Sequence, residues 1–520
     1  MDKQFLMGNE AIALGAKDAG ATRGIGYPGT PSSEILDFYN KHGGKAQWSP
    51  NEKVAAEVAL GVSFSGVRSF VTMKHVGLNV AADVLFTCAY SGVDGALVFI
   101  VADDPGMASS QNEQDSRRYA VAAGVPLLEP SDSQDAYDFT RLAFEVSERW
   151  KIPVILRVTT RVCHSGAIVE RRKAAEPMVA NYVKNSQTHV MVPGHARPAH
   201  IRLRTKLAEI QEWNNAEGPN KIINKENKLG LIANGVAYQF AREANTTASV
   251  FKVGMSYPLP MEAILEFTKN NETNMVIEEG DAYIADAVLA EGANITRAPF
   301  RFRYGELTVN RVRAMIAQDN SEEFVPPRGI PPKLCMGCPH LYSFQMLKDL
   351  DCIIAGDIGC YTLAVMPPLD AMDTQICMGA SIGVGLGLRY SLPEKDARRV
   401  VSVIGDSTFV HSGLTGLAEM QYNTPETGHV LLILDNSTTA MTGQQEHPGT
   451  GKHLDSTPAS QLDYETVVRG MNIKNVFTLD PLKDKVEYKE KLQEALAKNE
   501  LTVFIMKRPC ILAMAKNAGR

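Results

Sequence analysis

Residues 400–445 read VVSVIGDSTFVHSGLTGLAEMQYNTPETGHVLLILDNSTTAMTGQQ. One apolar run ends in Gly405-Asp406-Ser407, a helical pattern follows from about His411, and a second apolar run ends in Asp435-Asn436. Short, unbroken apolar runs bounded by turn residues are the mark of strands buried on both faces of a parallel sheet. Strand, helix, strand therefore puts Asp406 and Asn436 at the C-terminal ends of two strands, the edge at which open α/β sheets take ligands. A helix N-terminus beside Asp406 offers unpaired N–H groups and the positive end of a dipole, which suit a phosphate. A carboxylate, an amide oxygen and a backbone carbonyl, completed by phosphate oxygens and water, form a hard oxygen shell suited to Mg²⁺. Either half alone is an ordinary turn after a strand. Asp406 and Asn436 as a pair, with a helix between them, are much more specific.

The same style runs through the chain. Between positions 1 and 180, SFVTMKH (69–75), GALVFIVAD (95–103) and IPVILRVT (152–159) predict buried parallel strands, separated by Ala-rich helices that end at Gly. Residues 181–226 are polar and irregular and contain one amphipathic helix, RPAHIRLRTKLAEIQEW, so they read as a structured linker. A second α/β unit opens at KLGLIANG and covers 227–325. A Pro-rich stretch, 325–332, marks the next boundary, and 326–520 repeats the pattern with DCIIAGD, RRVVSVIGD, HVLLILDN and LTVFIMK. The expectation is α/β throughout, with parallel sheets, helices on both faces and three domains.

Length and composition agree: 520 residues, 44% hydrophobic and 22% charged, can bury a core in each domain. A net charge of −6 without a Lys/Arg block disfavours nucleic acid or an anionic membrane as partner. No apolar run approaches the roughly 20 residues that span a bilayer, and the N-terminus lacks the features of a signal peptide. The expected location is the cytoplasm, where the eight cysteines stay reduced and serve as core residues, ligands or catalysts.

Gly-Asp followed, after a strand-sized and helix-sized spacer, by an Asn-containing pair resembles the thiamine-diphosphate signature, with Ser407 at a position usually held by Gly or another small residue. That resemblance implies Mg²⁺ ligation by Asp406, Asn436 and the carbonyl of Thr438, and cofactor contacts from Gly405, Ser407, Met441 and Thr442. Thiamine chemistry also needs a carboxylate to tautomerise the aminopyrimidine. Glu52, in SPNEKVAAEVALGVSFSG, has the expected setting at the start of an Ala-rich helix. Taken alone it is a charge favoured by the helix dipole; beside the diphosphate motif it reads as catalytic.

Together YPGTPSSEI, ADDPGMASSQNEQDSR, LCMGCPH, GDIGCYTL, MGASIGVGLG and LDNSTTAMTGQQEHPGTG resemble the alpha-subunit family of the indolepyruvate:ferredoxin oxidoreductases, a branch of the 2-oxoacid:ferredoxin oxidoreductases, from about Met7 to Cys510. The resemblance implies a pyrimidine-binding domain (1–180), a transketolase C-terminal-like domain (227–325) and a diphosphate-binding domain (326–520). It implies oxidative decarboxylation of a 2-oxo acid, an aryl-pyruvate such as indolepyruvate, with coenzyme A as co-substrate. Electrons would leave through one [4Fe-4S] cluster held by Cys335, Cys338, Cys360 and Cys510. Without the family, Cys360 and Cys510 read equally well as small buried hydrophobes, the role left to Cys88, Cys163, Cys352 and Cys377.

Thr30 matches the family's substrate-contacting threonine and is otherwise a turn or helix-cap residue. His75 and His411 are proton-transfer candidates or hydrogen-bonded structural histidines. Two features depart from the family. No ferredoxin-like run of clustered cysteines follows the last strand, so the onward carrier is expected on another protein. Asp103-Asp104 occupies the stretch where pyruvate-specific relatives place a carboxylate-binding Arg, which disfavours pyruvate. The partners implied are a gamma- or beta-type subunit and a ferredoxin or iron–sulfur subunit, in a hetero-oligomer with a dimeric core. A non-oxidative thiamine decarboxylase or carboligase would share Glu52, Asp406 and Asn436 but need no cluster. A scaffold subunit without catalysis would need none of these groups intact.

Overall fold

A computed structural model describes residues 2–176, 178–225, 228–323 and 333–518. The Pro-rich boundary at 325–332 lies outside the described residues. The chain forms two compact units, residues 1–324 and 325–520.

The first unit is built on a seven-stranded sheet. Its order is Met255–Tyr257, Leu127–Leu128, Val154–Thr159, Leu97–Asp103, Ser69–Lys74, Arg23–Gly26 and Ala46–Trp48. Every pairing is parallel except that of Met255–Tyr257, which runs antiparallel to Leu127–Leu128. A segment from beyond the polar stretch 181–226 thus completes the edge of the N-terminal sheet. The strands Arg23–Gly26, Ser69–Lys74 and Leu97–Asp103 lead into loops or helices at one common edge. A four-stranded sheet follows the order Thr273–Ile277, Leu229–Asn234, Ser249–Val253, Lys221–Ile223, with only the last strand antiparallel. A two-stranded ribbon, Asp2–Met7 against Gly166–Arg171, has no counterpart in the sequence reading. The linker helix spans Pro193–Ala216 and buries Ala199, Leu203, Leu207 and Ile210.

The second unit carries five parallel strands in the order Ile353–Ala355, Val400–Gly405, His429–Asp435, Leu501–Lys507, Asn475–Leu479. Side chains alternate across a strand, and two cores result. Val401, Val403, Val430, Leu432 and Leu434 face the helices Pro339–Asp349 and Lys485–Ala497 through Phe344, Leu347, Tyr488 and Leu492. Ile404, Leu431 and Ile433 face the helices Ala380–Ser391 and Leu414–Tyr422 through Ile382, Leu386, Leu417 and Met420. Burial on both faces is why these strands read as unbroken apolar runs.

Candidate functional site

The strand Val400–Gly405 ends directly in a helical turn, Asp406–Thr408, followed by a π-helical turn, Phe409–Gly413, and the helix Leu414–Tyr422. Helix therefore begins at Asp406 and not near His411, since Asp406 itself occupies the first turn. Asp406 Oδ1 accepts from the Ser407 N–H and Oδ2 from the Ser437 N–H, both at 2.8 Å. The second bond ties the end of Val400–Gly405 to the end of His429–Asp435, the strand beside it. Gly405 is required by close approach: a Cβ there would stand 2.8 Å from Cε1 of Tyr361, whose hydroxyl accepts from the Gly405 N–H.

Asn436 and Thr438 lie in the same corner. Asn436 Oδ1 accepts from the Thr438 N–H at 3.2 Å, and its amide nitrogen donates to His340 Nε2 at 3.2 Å. Burial pulls the His340 pKa down to about 4, so the ring is neutral and can accept. An accepting ring nitrogen settles which end of the Asn436 amide is oxygen. Two groups that sequence reasoning missed complete the corner. His447 is buried with Nε2 3.4 Å from Asp406 Oδ2, and that nitrogen has no hydrogen-bond partner among the described residues. Asp435 is raised to about 6, first by burial and then by the neighbouring Asp406 carboxylate. A carboxylate pair, an amide oxygen and an orphaned buried ring nitrogen form a polar, anionic corner, a donor set that fits a hard divalent cation with its phosphate. In the loop beyond, Thr442 Oγ1 donates to Gln445 Oε1 at 2.6 Å, while Met441 is exposed. His411 is buried with Nδ1 2.6 Å from Ser412 Oγ.

Cys335, Cys338, Cys360 and Cys510 line one cavity of about 80 Å³, with Leu363, Ala440 and Asn436 in the same wall. Cys338 is the N-cap of the helix Pro339–Asp349, and its carbonyl accepts from the Leu341 N–H at 3.1 Å. Cys510 is placed by its N–H, which donates to the Asn436 carbonyl at 2.9 Å. Burial first, and then the other cysteines of the set, push Cys338 and Cys360 up to about 11. Thiols that raise one another in this way ask for a shared cation. Among the described residues no three His, Cys, Asp or Glu side chains converge as they stand on a single ion; the four thiols stand around a cavity instead, which suits a multi-iron cluster. The other cysteines divide: Cys88 and Cys163 are buried and Cys352 is partly buried, but Cys377 is exposed, against its expected core role. It precedes the helix Ala380–Ser391 and does not belong to it.

In the first unit Glu52 begins the helix Glu52–Phe64, capped by Asn51, whose side chain accepts from the Val54 N–H at 2.9 Å. Glu52 is buried against Gly77, where a Cβ would stand 2.5 Å from Glu52 Oε1. His75 begins the helix His75–Ser91; its Nε2 lies 3.1 Å from the Asn112 carbonyl oxygen, and burial lowers its pKa. Thr30 is half-buried, in the turn between the strand Arg23–Gly26 and the helix Ser33–Lys41. Asp103 and Asp104 both have structural work. Asp103 takes Arg157 Nε at 2.6 Å and the Ser116 hydroxyl at 2.5 Å. Asp104 takes the Ser109 N–H and the hydroxyls of Ser110 and Thr160.

Two family models match the chain. "Thiamine pyrophosphate enzyme, C-terminal TPP binding domain" covers residues 357–506, and "Pyruvate flavodoxin/ferredoxin oxidoreductase, thiamine diP-bdg" covers residues 15–214. A solved 2-oxoglutarate:ferredoxin oxidoreductase from Magnetococcus marinus has the same fold over 61% of this chain and 65% of its own, with a TM-score of 0.51 at 16% identity. These matches, with the relatives that follow, define a thiamine-diphosphate-dependent 2-oxoacid:ferredoxin oxidoreductase. Indolepyruvate oxidoreductase subunit IorA of Archaeoglobus fulgidus is 38% identical over all of this chain and 88% of its own length. That of Thermococcus kodakarensis is 38% identical over 98% of this chain and 86% of its own. The chain belongs to the IorA family of indolepyruvate oxidoreductase subunits. Among the described residues no helix is long and apolar enough to cross a membrane.

Proposed function

We propose that the protein catalyses coenzyme A-dependent oxidative decarboxylation of a 2-oxo acid, an aryl-pyruvate such as indolepyruvate, and passes the electrons through one [4Fe-4S] cluster to a ferredoxin or an iron–sulfur partner. The observation that carries this reading is the cysteine cavity: four thiols drawn from 335–510 line one wall with Asn436, a residue of the diphosphate corner. A thiamine enzyme without redox chemistry has no use for that set.

Bound thiamine diphosphate would supply the electron sink for loss of CO₂. The roles of the chain's own groups follow from their placement. Asp406, Asn436 and the Thr438 carbonyl would hold Mg²⁺, with Gly405, Ser407, Met441 and Thr442 lining the diphosphate. Glu52, buried and fixed by Asn51 and Gly77, would hold a proton at its carboxyl oxygen against the aminopyrimidine. Thr30 would contact the substrate, and His75, oriented by the Asn112 carbonyl, would move a proton. Cys335, Cys338, Cys360 and Cys510 would ligate iron. The reading also divides the chain into pyrimidine-binding (1–180), linker (181–226), transketolase C-terminal-like (227–325) and diphosphate-binding (326–520) parts. It places the protein in the cytoplasm with a gamma- or beta-type partner subunit, in keeping with relatives that are named as subunits.

The test is anaerobic purification with bound partners, iron and sulfide analysis, and an assay of 2-oxo acids with coenzyme A. About four iron and four sulfide per chain are expected. Protein without iron, its four cysteines all alkylated in the native state, would instead support a non-oxidative decarboxylase.

A further inference from the structure

The ends of Arg23–Gly26, Ser69–Lys74 and Leu97–Asp103 lie side by side in the seven-stranded sheet. Beyond them come the Thr30 turn, His75 and Asp104. Lys74 is the last residue of the central strand of these three and is half-buried. Its methylenes lie against Gly29: a Cβ there would stand 3.1 Å from Lys74 Cγ and 3.2 Å from Cδ. A side chain at 29 would displace Lys74, so Gly29 leaves the room that Lys74 occupies next to Thr30.

The Lys74 amine makes no hydrogen bond or ion pair among the described residues. The anions that act on it are Asp104 and Glu52. Asp104 is already engaged by the Ser109 N–H and by the hydroxyls of Ser110 and Thr160. The buried arginines of this sheet are spent. Arg157 is paired with Asp103 and Glu129, and Arg117 with Asp115 and Glu278. Burial lowers the Lys74 pKa while the two carboxylates oppose the shift. A partly desolvated ammonium that is not fully compensated gains from an incoming anion.

The substrate class supplies that anion, since every 2-oxo acid carries a carboxylate at C1. The carboxylates that act on Lys74, Glu52 and Asp104, would repel such an anion if Lys74 were absent. We propose that Lys74 binds the C1 carboxylate of the 2-oxo acid, with the Thr30 turn forming the neighbouring wall of the same subsite. The inference rests on the proposed role of Glu52, which brings the reaction to these strand ends. It also supplies from the strand Ser69–Lys74 the cation that Asp103-Asp104 lacks.

The experiment compares wild type, Lys74→Met and Lys74→Arg in the anaerobically purified complex on a panel of 2-oxo acids with different side chains. A charge-assisted hydrogen bond lost from a carboxylate should raise KM roughly 10- to 100-fold in Lys74→Met. The rise should be the same for every side chain, because C1 is common to all of them. Thiamine diphosphate affinity and melting temperature should stay at wild-type values, and Lys74→Arg should recover most of the loss. Lys74→Gln is the second variant if Met lowers the melting temperature. A wild-type KM in Lys74→Met and Lys74→Gln overturns the proposal, and so does a rise confined to one side chain. A wild-type complex that oxidises no 2-oxo acid on the panel refutes the activity itself, and the inference with it.

Discussion

Gly77→Ala tests the Glu52 assignment without touching Glu52. Gly77 lies in the first turn of His75–Ser91. A Cβ built there stands 2.5 Å from Glu52 Oε1, 2.7 Å from Cγ and 2.9 Å from Cδ. Ordinary contact begins near 3.4 Å, so the carboxylate must retreat by about 1 Å, and a displacement of that size can cost about 10²-fold in rate. The backbone cost runs the other way, because Ala is favoured over Gly in a helix by roughly 0.5–1 kcal/mol. The variant should therefore melt near the wild-type temperature yet turn over about 100-fold more slowly. The direct readout is proton exchange at the thiazolium C2 of the bound cofactor, followed by NMR after an acid quench. Glu52→Gln, whose amide cannot drive the tautomer shift, sets the lower limit at several orders of magnitude below wild type. Wild-type exchange in Gly77→Ala, with the cofactor bound, would show that the carboxylate packed against Gly77 is not the one that acts on thiamine.

Three further outcomes are expected. Asp406→Ala should abolish retention of Mg²⁺ and thiamine diphosphate in gel filtration while circular dichroism stays unchanged, since the carboxylate bonds loop N–H groups at the strand ends and packs no apolar core; tight cofactor binding by the variant refutes the metal assignment. His340→Phe removes the acceptor that orients the Asn436 amide, and should weaken Mg²⁺ binding in calorimetry by about 10-fold, one lost hydrogen bond's worth; unchanged affinity refutes the orienting role. Burial pulls His429 down to about 3, so between pH 6.5 and 3 the unfolded chain binds a proton that the folded chain refuses. Stability should be full above pH 6.5 and fall by up to about 1.4 kcal/mol per pH unit below it. In urea titrations against pH, His429→Gln should flatten that fall, and an unchanged slope would refute the assignment.

The strands of the five-stranded sheet were legible because burial on both faces leaves an uninterrupted apolar signal, as in residues 429–434. The Gly405-Asp406 and Asp435-Asn436 turns were legible for the same reason: they are where that signal stops. Cys335 and Cys338 announced themselves by spacing alone, whereas Cys360 and Cys510 needed the family resemblance, because only the folded chain brings them to the cavity. What could not be read is what long-range packing decides. His340 meets Asn436 across 96 residues. His447 meets Asp406, and Met255–Tyr257 adds to a sheet whose first strand is Arg23–Gly26. Nothing near Met255 in sequence names its partner Leu128, because a strand as short as Met255–Tyr257 carries no periodicity. Lys74 ends an apolar run and reads as a strand-end charge, and only the packing of Gly29 against it shows that space was kept for it.

Asn436 links the two halves of the proposed chemistry within the second unit. Its carbonyl holds the Cys510 N–H, its amide nitrogen holds His340, and its amide oxygen turns to the Thr438 N–H on the side of Asp406. His340 stands just after Cys338 at the start of one helix. One residue is thus tied to Cys510 by a backbone bond and, through the His340 side chain, to the helix that Cys338 begins, while it contributes to the proposed Mg²⁺ set. A helix N-terminus capped by Cys338 is a rigid support, and the extended strand His429–Asp435, buried along its whole length, is another. With both supports fixed, the cysteine cavity and the corner at Asp406 and Asn436 cannot drift apart without breaking hydrogen bonds of 2.9 and 3.2 Å. That coupling suits the proposed one-electron relay, in which each of the two electrons released by an oxidative decarboxylation would leave through the cysteine set. A decarboxylase would gain nothing from tying Asn436 to cysteines.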